Sequence, residues 1–235
     1  MTNTPTLKLD WCSHQAAKYA VMRWHYSKTM PYGKLIKIGV WEDKKFIGAV
    51  IFSRGACPSY GTKFGLDQTK VCELTRVALN SHITPVSKIL SIAIKMLKKS
   101  NKGLRLIVSY ADQNQGHLGS IYQAGNWLYQ GNASQRDAYW IINGKRIHNR
   151  SVSQKYNTAS MGWIQNNIDK NAHKLKEKLK HKYLMPLDKD MMSKIKPLAQ
   201  SYPKKNCDAG VISSTSSFQD GGDGAEPIAS LYNYV

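Results

Sequence analysis

Two charged residues stand out because they lie within or directly after stretches that are otherwise apolar. Arg76 interrupts the strand-like run from Val71 to Leu79, so we expect its guanidinium to face a cleft or a carboxylate rather than dry core. The odd spacing of Glu73 from Arg76 predicts that they occupy opposite faces of the strand. Asp112 follows the apolar run from Leu104 to Tyr110, where a carboxylate can accept a proton or hold an amine. Open α/β sheets bind ligands at strand carboxyl ends, so Arg76 and Asp112 are candidate catalytic residues. The alternatives are a structural ion pair for Arg76 and a turn-capping side chain for Asp112.

Aromatic and histidine side chains supply further candidates. Tyr122 lies in the segment GSIYQAGNW, and a core aromatic is the alternative interpretation. His25 and Tyr26 follow the first predicted helix, in a loop that can fold over the cleft. His82 and His117 follow predicted strand ends and, with a carboxylate, would suit iron or zinc. No HxxxH or HxD spacing connects these histidines, so the sequence predicts no metal site, with iron as the less favoured alternative.

The elements that must position these residues follow from the spacing of apolar side chains. Ser13 is suited to cap a helix that runs to about Trp24, and Pro85 to open an amphipathic helix that runs to about Lys99. The other predicted segments follow in chain order. They are a hairpin (34–41 with 45–52), a polar loop (53–69), two strands (71–79 and 104–110), a short helix (118–124) and two more strands (127–129 and 138–142). This order predicts an α/β fold with a mixed central sheet flanked by helices. The basic stretch from His173 to Leu184 is predicted to be helical.

Several short motifs together resemble the Mom family of phage DNA-modification proteins, which are related to the GNAT acyltransferase superfamily. The resemblance covers roughly residues 20–160 and rests on HYS at 25–27, GVWE at 39–42, ELTRVAL at 73–79, SYAD at 109–112 and GSIYQAGNW at 119–127. It implies a GNAT-like sheet, adenine in DNA as the target and N6-carbamoylmethyladenine as the product, which would protect phage DNA from host restriction. It also implies that Tyr122 protonates the leaving group. Arg76 would then stabilise the carbonyl oxyanion, and Asp112 would orient or deprotonate the adenine amine.

The expected donor site departs from the GNAT pattern. Such acyltransferases hold the coenzyme A pyrophosphate with a glycine-rich loop at a helix N-terminus, whereas residues 80–88 of this chain contain no glycine. Ser81, Thr84, Ser87 and Lys88 are the predicted donor-binding residues there. Direct acyl transfer would leave a carbonyl on the adenine amine, but the implied product has a CH2 group there. A glycyl donor such as an aminoacylated tRNA would satisfy this, and acyl-coenzyme A is the alternative.

Charge predicts a nucleic-acid partner. The chain has 34 Lys and Arg against 15 Asp and Glu, a net charge of +19. From Lys204 onward two lysines and four acidic residues give −2, so residues 1–203 carry +21. A field of this sign attracts polyanions and favours contacts with phosphates. We expect double-stranded DNA to contact Arg54, Lys63, Arg146, Arg150 and Lys155.

Composition also bounds the organisation of the chain. Four scattered cysteines without a CxxC pair predict ordinary reduced thiols. The chain lacks an apolar run of the roughly 18–20 residues that a membrane span needs, and its start does not resemble a secretory signal, which predicts a cytoplasmic protein without a membrane partner. The predicted divisions are a catalytic domain at 1–160, a basic helical extension at 161–205 that packs on it, and a disordered tail at 206–235.

Two other classes of function stay open. One is an ordinary GNAT acetyltransferase that acts on a protein or a small molecule, and coenzyme A binding would identify it. The other is a non-catalytic basic DNA-binding protein. Such a protein would have no need for Arg76, Asp112 and Tyr122 to converge at strand ends.

Overall fold

Within residues 4–55, 58–133, 139–175 and 178–204, which the computed structural model describes, the chain forms ten strands and six α-helices. The strands are β1 (Leu7–Trp11), β2 (Leu35–Glu42), β3 (Lys45–Ser53), β4 (Val71–Leu79), β5 (Leu106–Ala111), β6 (Leu128–Asn132), β7 (Tyr139–Ile142), β8 (Lys145–His148), β9 (His173–Leu175) and β10 (His181–Pro186). The helices are α1 (His14–Trp24), α2 (Val86–Ser100), α3 (Ser120–Gln123), α4 (Asn149–Tyr156), α5 (Met161–Asn167) and α6 (Lys189–Ile195). Among these, no helix combines the length and apolar character needed to span a membrane.

The local sequence accounts for the first helix and the hairpin. Ser13 Oγ accepts a hydrogen bond from the Ala16 N–H at 3.1 Å, which satisfies one of the unpaired donors at the start of α1. The turn between β2 and β3 consists of Asp43 and Lys44, whose φ angles of 47° and 68° are both positive. A two-residue turn of this hand matches the right-handed twist of the paired strands. Both elements confirm the sequence prediction.

The central sheet contains seven strands in the order β1-β2-β3-β4-β5-β10-β6. All neighbours are antiparallel except β4 and β5, which are parallel because α2 crosses over between them. The pairing of β4 with β5 stops at Leu74 and Ser109, although β4 continues to Leu79. The two strands therefore separate towards their carboxyl ends, and a cleft opens between them.

Helices cover both faces of this sheet. Phe52 packs in one apolar cluster with α2, whereas its neighbour Ile51 packs in another cluster with α1. Alternate residues of a strand point to opposite faces, so α1 and α2 lie on opposite sides. We call these sides the α1 face and the α2 face. The predicted α/β class, with a mixed central sheet flanked by helices, is confirmed.

The described parts of the basic stretch from His173 to Leu184 are not helical, so that part of the prediction is wrong. Residues 173–175 form β9, and β10 is an interior strand of the central sheet between β5 and β6. Tyr183 and Leu184 are both fully buried, as expected for a strand covered on both faces. Ladder hydrogen bonds to two neighbouring strands and burial outweigh the local helical pattern. The predicted tail at 206–235 lies outside the described residues.

The described structure also contains a smaller sheet and several 3-10 helices. Strands β8, β7 and β9 pair in this order, and α4 and α5 pack with them around the buried Trp140. The segment predicted as a loop at 53–69 contains 3-10 helices at Pro58–Phe64 and Gln68–Lys70. The loop prediction therefore misses these two short 3-10 helices.

Candidate active site

An irregularity in β4 decides which face Arg76 occupies. The register to β3 shifts between the pairs Ile51–Arg76 and Phe52–Leu74, so Thr75 is an extra residue in a β-bulge. Directly paired residues share a face, and the pairs Ile51–Arg76 and Ser53–Glu73 place both charged residues on the α1 face. The prediction that Glu73 and Arg76 lie on opposite faces is therefore wrong. The bulge brings a carboxylate and a guanidinium to the same side of the cleft.

Backbone carbonyls hold the Arg76 guanidinium. Nε donates to the Thr29 carbonyl at 3.2 Å, and Nη1 donates to the Thr75 carbonyl at 2.7 Å. Burial lowers the pKa of Arg76, while Tyr26 and Glu73 act in the opposite direction. Arginine nevertheless stays charged in proteins and has five N–H donors, so further donors remain beyond these two contacts. Arg76 is thus a fixed cation beside the cleft.

The loop after α1 places His25 and Tyr26 over the site. Their ring centroids are 4.4 Å apart, and Tyr26 meets the His117 ring edge-on at 5.5 Å. Burial and the nearby Asp112 carboxylate raise the pKa of Tyr26, and Arg76 acts against them. Tyr26 therefore keeps its proton at neutral pH, and both the Asp112 carboxylate and the Arg76 guanidinium act on it.

His25 is a neutral imidazole in a defined tautomer. The Ser27 N–H donates to His25 Nδ1 at 3.1 Å, so Nδ1 is unprotonated and Nε2 carries the hydrogen. Burial lowers the pKa of His25 to about 4, and the charges of Arg76 and His117 contribute in the same direction. In this state His25 can donate a hydrogen bond from Nε2.

Asp112 directly follows β5 and caps the turn at Gln113–Gln115. One carboxylate oxygen accepts the Asn114 N–H at 3.0 Å, so the turn-capping interpretation is correct in geometry. The other oxygen lies 3.7 Å from Lys180 Nζ, and the side chain is 13% exposed. The register of β4 with β5 pairs Glu73 with Val108, which puts Asp112 on the α1 face with Arg76. Capping therefore orients the carboxylate towards the cleft and does not exclude a role in catalysis.

Tyr122 approaches the point of strand separation from the α2 face. Its hydroxyl lies 2.8 Å from Ser109 Oγ, and Ser109 Oγ donates to the Leu74 carbonyl at 2.8 Å. Burial raises the pKa of Tyr122 to about 12, although the Ser109 contact acts against this rise. Tyr122 is therefore a protonated phenol in the gap between β4 and β5.

The structure thus brings together the five residues predicted for catalysis: Arg76, Asp112, Tyr122, His25 and Tyr26. The electrostatic influence of Tyr26 reaches Tyr122, and that of Arg76 reaches both His25 and Tyr26. The site combines a fixed cation, a carboxylate and a protonated phenol around one cleft. Such a set can stabilise an oxyanion, accept a proton from an amine and protonate a leaving oxygen.

The small sheet contributes an aromatic residue, Tyr139, to the surroundings of the site. Tyr139 affects the pKa of both Tyr26 and Arg76, so it lies near them. The Arg146 guanidinium stacks over the Tyr139 ring at 3.7 Å from its centroid, and His148 meets the same ring edge-on at 5.1 Å. A planar base could stack at such a surface. Of the predicted DNA contacts, Arg146 is therefore placed beside the candidate site.

The predicted donor-binding residues lie in the segment before α2 and in its first turn, where the Glu42 carboxylate accepts two backbone N–H groups of the preceding segment. Glu42 accepts the Ile83 N–H at 3.0 Å and the Thr84 N–H at 2.7 Å. Thr84 is buried, whereas Ser81 and Lys88 are exposed and Ser87 is partly exposed. Burial acts to raise the pKa of Glu42, but the contacts from Thr84 and Ile83 outweigh it and lower the pKa. The negative charge of Glu42 opposes a pyrophosphate at this helix start.

The other predicted DNA contacts are more dispersed. Lys63 and Lys155 are exposed, and Lys155 Nζ lies 5.1 Å from the Tyr156 ring centroid. Arg54 lines a cavity of about 230 Å³ near the start of β4, away from the cluster of catalytic candidates. The side chain of Arg150 lies outside the described residues.

Metal-ligand and thiol chemistry find little support in the geometry. Over the described ranges, no three His, Cys, Asp or Glu side chains converge as ligands for a metal ion. His82 contacts the Thr84 carbonyl through Nδ1 at 2.9 Å instead. Cys12 and Cys72 are free thiols, and burial raises the pKa of Cys72 to about 12. A thiol with this pKa is a poor nucleophile at neutral pH.

Comparison with known proteins assigns the chain to a family. The profile of the Mom protein family matches residues 6–204. This chain belongs to the Mom protein family. It is 23% identical over 146 residues to the protein named Methylcarbamoylase mom of Escherichia phage Mu, and that alignment covers 60% of each chain. A solved structure of a candidate acetyltransferase from Acinetobacter baylyi ADP1 aligns with a TM-score of 0.46 at 12% identity, over 86% of this chain and 100% of the other.

Sequence reasoning missed several residues of this Mom-family site. Ser109 reads as part of a buried strand, and its contact with Tyr122 depends on where β4 and β5 separate. Lys180 belongs to the stretch predicted as a helix, and its approach to Asp112 depends on β10. Tyr139 is separated from the central motifs in sequence. A signal for Ser109 was present, because it belongs to the SYAD motif that ends in Asp112.

Proposed function

We propose that this chain is a transferase that converts adenine in DNA to N6-carbamoylmethyladenine. The observation that carries the proposal is the convergence of Arg76, Asp112, Tyr26 and Tyr122 where β4 and β5 separate. Membership of the Mom family supports DNA modification, and the name of the phage Mu relative supports a methylcarbamoyl product. The net charge of +21 on residues 1–203 supports a polyanionic substrate.

The target base would leave the duplex before it reacts. Enzymes that act on a base within a duplex rotate it into a pocket and stack it on aromatic side chains. Tyr26 and Tyr139 flank the cluster, and the stacked Arg146 extends the surface. An adenine held there would have its exocyclic amine near Asp112.

In the first step the exocyclic amine of adenine attacks the carbonyl of a glycyl ester. A C–N bond forms, Asp112 accepts the amine proton, and Arg76 stabilises the oxyanion. The ester C–O bond then breaks, and Tyr122 supplies the proton that the departing hydroxyl requires. The products are a glycyl amide of adenine and the donor with a free hydroxyl, as for a glycyl-tRNA that becomes tRNA.

A rearrangement then gives the carbamoylmethyl group. The free amine of the glycyl group attacks carbon 6 of the purine through a five-membered ring, and the bond from carbon 6 to the original exocyclic nitrogen breaks. The glycine nitrogen remains on the ring, and the original nitrogen becomes the carboxamide. All atoms of the glycyl amide are retained, so this step requires no oxidant or reductant.

Nucleoside mass spectrometry of plasmid DNA from expressing cells tests the activity. The wild-type chain should produce the modified deoxyadenosine, and Arg76→Met should lower its yield by roughly 10²–10³-fold, the usual effect of removing an oxyanion donor. Asp112→Asn should also lose activity. The control Asp10→Asn changes a half-exposed aspartate of β1 and should retain activity. Unmodified DNA with measurable coenzyme A binding would contradict the proposal and favour the acetyltransferase alternative.

Feeding glycine labelled on both carbons and on nitrogen tests the donor separately. The rearrangement predicts that the modified base contains all the labelled atoms, with the labelled nitrogen attached to the purine ring. Loss of the carboxamide in a fragmentation spectrum should leave this nitrogen on the base. A modified base without label would reject the glycyl donor and leave DNA modification intact.

A further inference from the structure

Lys182 is a buried cation that the proposed mechanism does not use. The residue is 8% exposed on β10, and its Nζ lies 5.5 Å from the centroid of the Phe64 ring. Among the described residues, no acceptor forms a hydrogen bond with this amine and no carboxylate lies within ion-pair distance. Buried lysines are ordinarily paired with an acidic group. The amine of Lys182 is therefore ready to accept an anion.

A second cation acts on Lys182. Lys63, exposed on the 3-10 helix Pro58–Phe64, acts electrostatically on Lys182. Two like charges beside each other repel, and desolvation of one of them adds to the cost. An anion between the two amines would relieve both effects. The pair therefore has the composition of an anion subsite.

This pair of lysines is on the same side of the sheet as the candidate active site. Lys182 is directly opposite Tyr110 in the β10–β5 register, and Asp112 follows two residues later on the same face. Neighbouring strands are about 4.8 Å apart, so Lys182 stands one strand beyond Tyr110. The backbone of an extruded nucleotide is joined to its base by one sugar, so its phosphates must pass close to the site. Lys182 shares a face of the sheet with Asp112, and Lys63 acts on Lys182, so both amines are available to such a phosphate.

We propose that Lys182 and Lys63 form a subsite for a backbone phosphate of the DNA strand that carries the target base. The inference rests on the proposed function, because it takes DNA as the substrate. It adds the means by which the strand is held beside Asp112. Neither lysine touches the reacting atoms, so both are positioning residues.

The ionisation of Lys182 should make DNA binding at this subsite depend on pH. Burial, with a contribution from Lys63, lowers the pKa of Lys182 to about 8. The other ionisable groups around it are Tyr110 of β5, the Asp112–Lys180 pair, and Lys194 of α6, whose Nζ donates to the Phe64 carbonyl at 3.0 Å. A bound phosphate favours the charged amine, so binding takes up a proton near this pKa. DNA affinity should therefore weaken as pH rises from 7 to 9.

Fluorescence anisotropy with a duplex oligonucleotide at several salt concentrations tests the subsite. Lys182→Met keeps the length of the side chain and removes its charge. Loss of one phosphate contact should lower the slope of log affinity against log salt by about 0.9, which is roughly eight-fold in affinity at about 0.1 M salt. Lys182→Met should also lose the weakening between pH 7 and 9. Lys189→Met removes an exposed charge on α6 and should leave the pH dependence unchanged.

Further variants separate the outcomes. Lys63→Met alters an exposed side chain, so it should fold and show the same loss of salt slope, and Lys182→Arg should retain binding. Wild-type affinity, salt slope and pH dependence in Lys182→Met would overturn the subsite alone. Failure of the wild-type chain to bind duplex DNA would overturn the proposed function as well. If the substitutions weakened binding to an RNA stem with a single-stranded 3′ end but left binding to duplex DNA unchanged, the assignment to DNA would be overturned.

Discussion

Acidification should destabilise this protein through His25 well before its carboxylates are protonated. The pKa of His25 is lowered from 6.5 to about 4 by burial, with contributions from Arg76 and His117. A group whose pKa is depressed on folding favours the folded state when it is unprotonated. For His25 this stabilisation is fully present above pH 6.5 and is lost as pH falls through about 4.

The size of the effect follows from the shift. A pKa difference of one unit corresponds to about 1.4 kcal/mol, so complete loss amounts to about 3 kcal/mol. At pH 5 the unfolded imidazole is almost fully protonated and the folded one is almost neutral, and the expected loss relative to pH 7.5 is about 2 kcal/mol. This is a large part of the stability of a typical domain.

Urea unfolding of the full chain at pH 7.5 and 5.0 measures this loss. The matched variant is His25→Asn, whose amide oxygen can still accept the Ser27 N–H that His25 Nδ1 accepts. His181 also has a lowered pKa, caused by burial, but it is present in both proteins and cancels in the comparison. The wild-type free energy of unfolding should fall by about 2 kcal/mol more than that of His25→Asn. Equal pH dependence in the two proteins would refute the reasoning.

Two further substitutions test how the site is supported. Gly119→Ala should destabilise the fold by more than about 1 kcal/mol and lower activity, because φ is +77° there and the new Cβ would clash with the buried Tyr183 ring. The control is Gly116→Ala, where φ is +68° and the added Cβ meets no other atom. Equal loss of thermal stability in the two variants would contradict the packing argument. Glu42→Gln should cost about 1 kcal/mol at pH 7, because a charged acceptor of the Thr84 N–H becomes neutral. The lowered pKa of Glu42 means that its contribution is lost as pH falls, so urea unfolding should show a smaller difference between wild type and Glu42→Gln at low pH.

Local sequence was sufficient for the elements whose signals are short in range. Ser13 caps α1 and Pro85 precedes α2, as predicted from residue type alone. The strand from Val71 to Leu79 has the predicted bounds, because an apolar run between turns leaves few alternatives. The chemical types of the site, a guanidinium, a carboxylate and a phenol at strand ends, could also be found without a structure.

Long-range pairing decided what the sequence could not. The stretch from His173 to Leu184 has a helical charge pattern, yet β10 is an interior strand because β5 and β6 supply ladder partners that no local signal encodes. The same pairing brings Lys180 to Asp112 and leaves Lys182 buried without an acidic partner among the described residues.

The sequence by itself determined the chemical types of the candidate catalytic residues and most of the strands near them. The tertiary structure decided their faces and neighbours, and the bulge at Thr75 is the clearest case, because a single extra residue turns Arg76 to the side of Glu73 and Asp112. Glu42 shows the same principle, since its hydrogen bonds to the start of α2 join segments about forty residues apart. Strand register and contacts between distant segments are properties of the packed chain, and the spacing of residues along the sequence does not contain them.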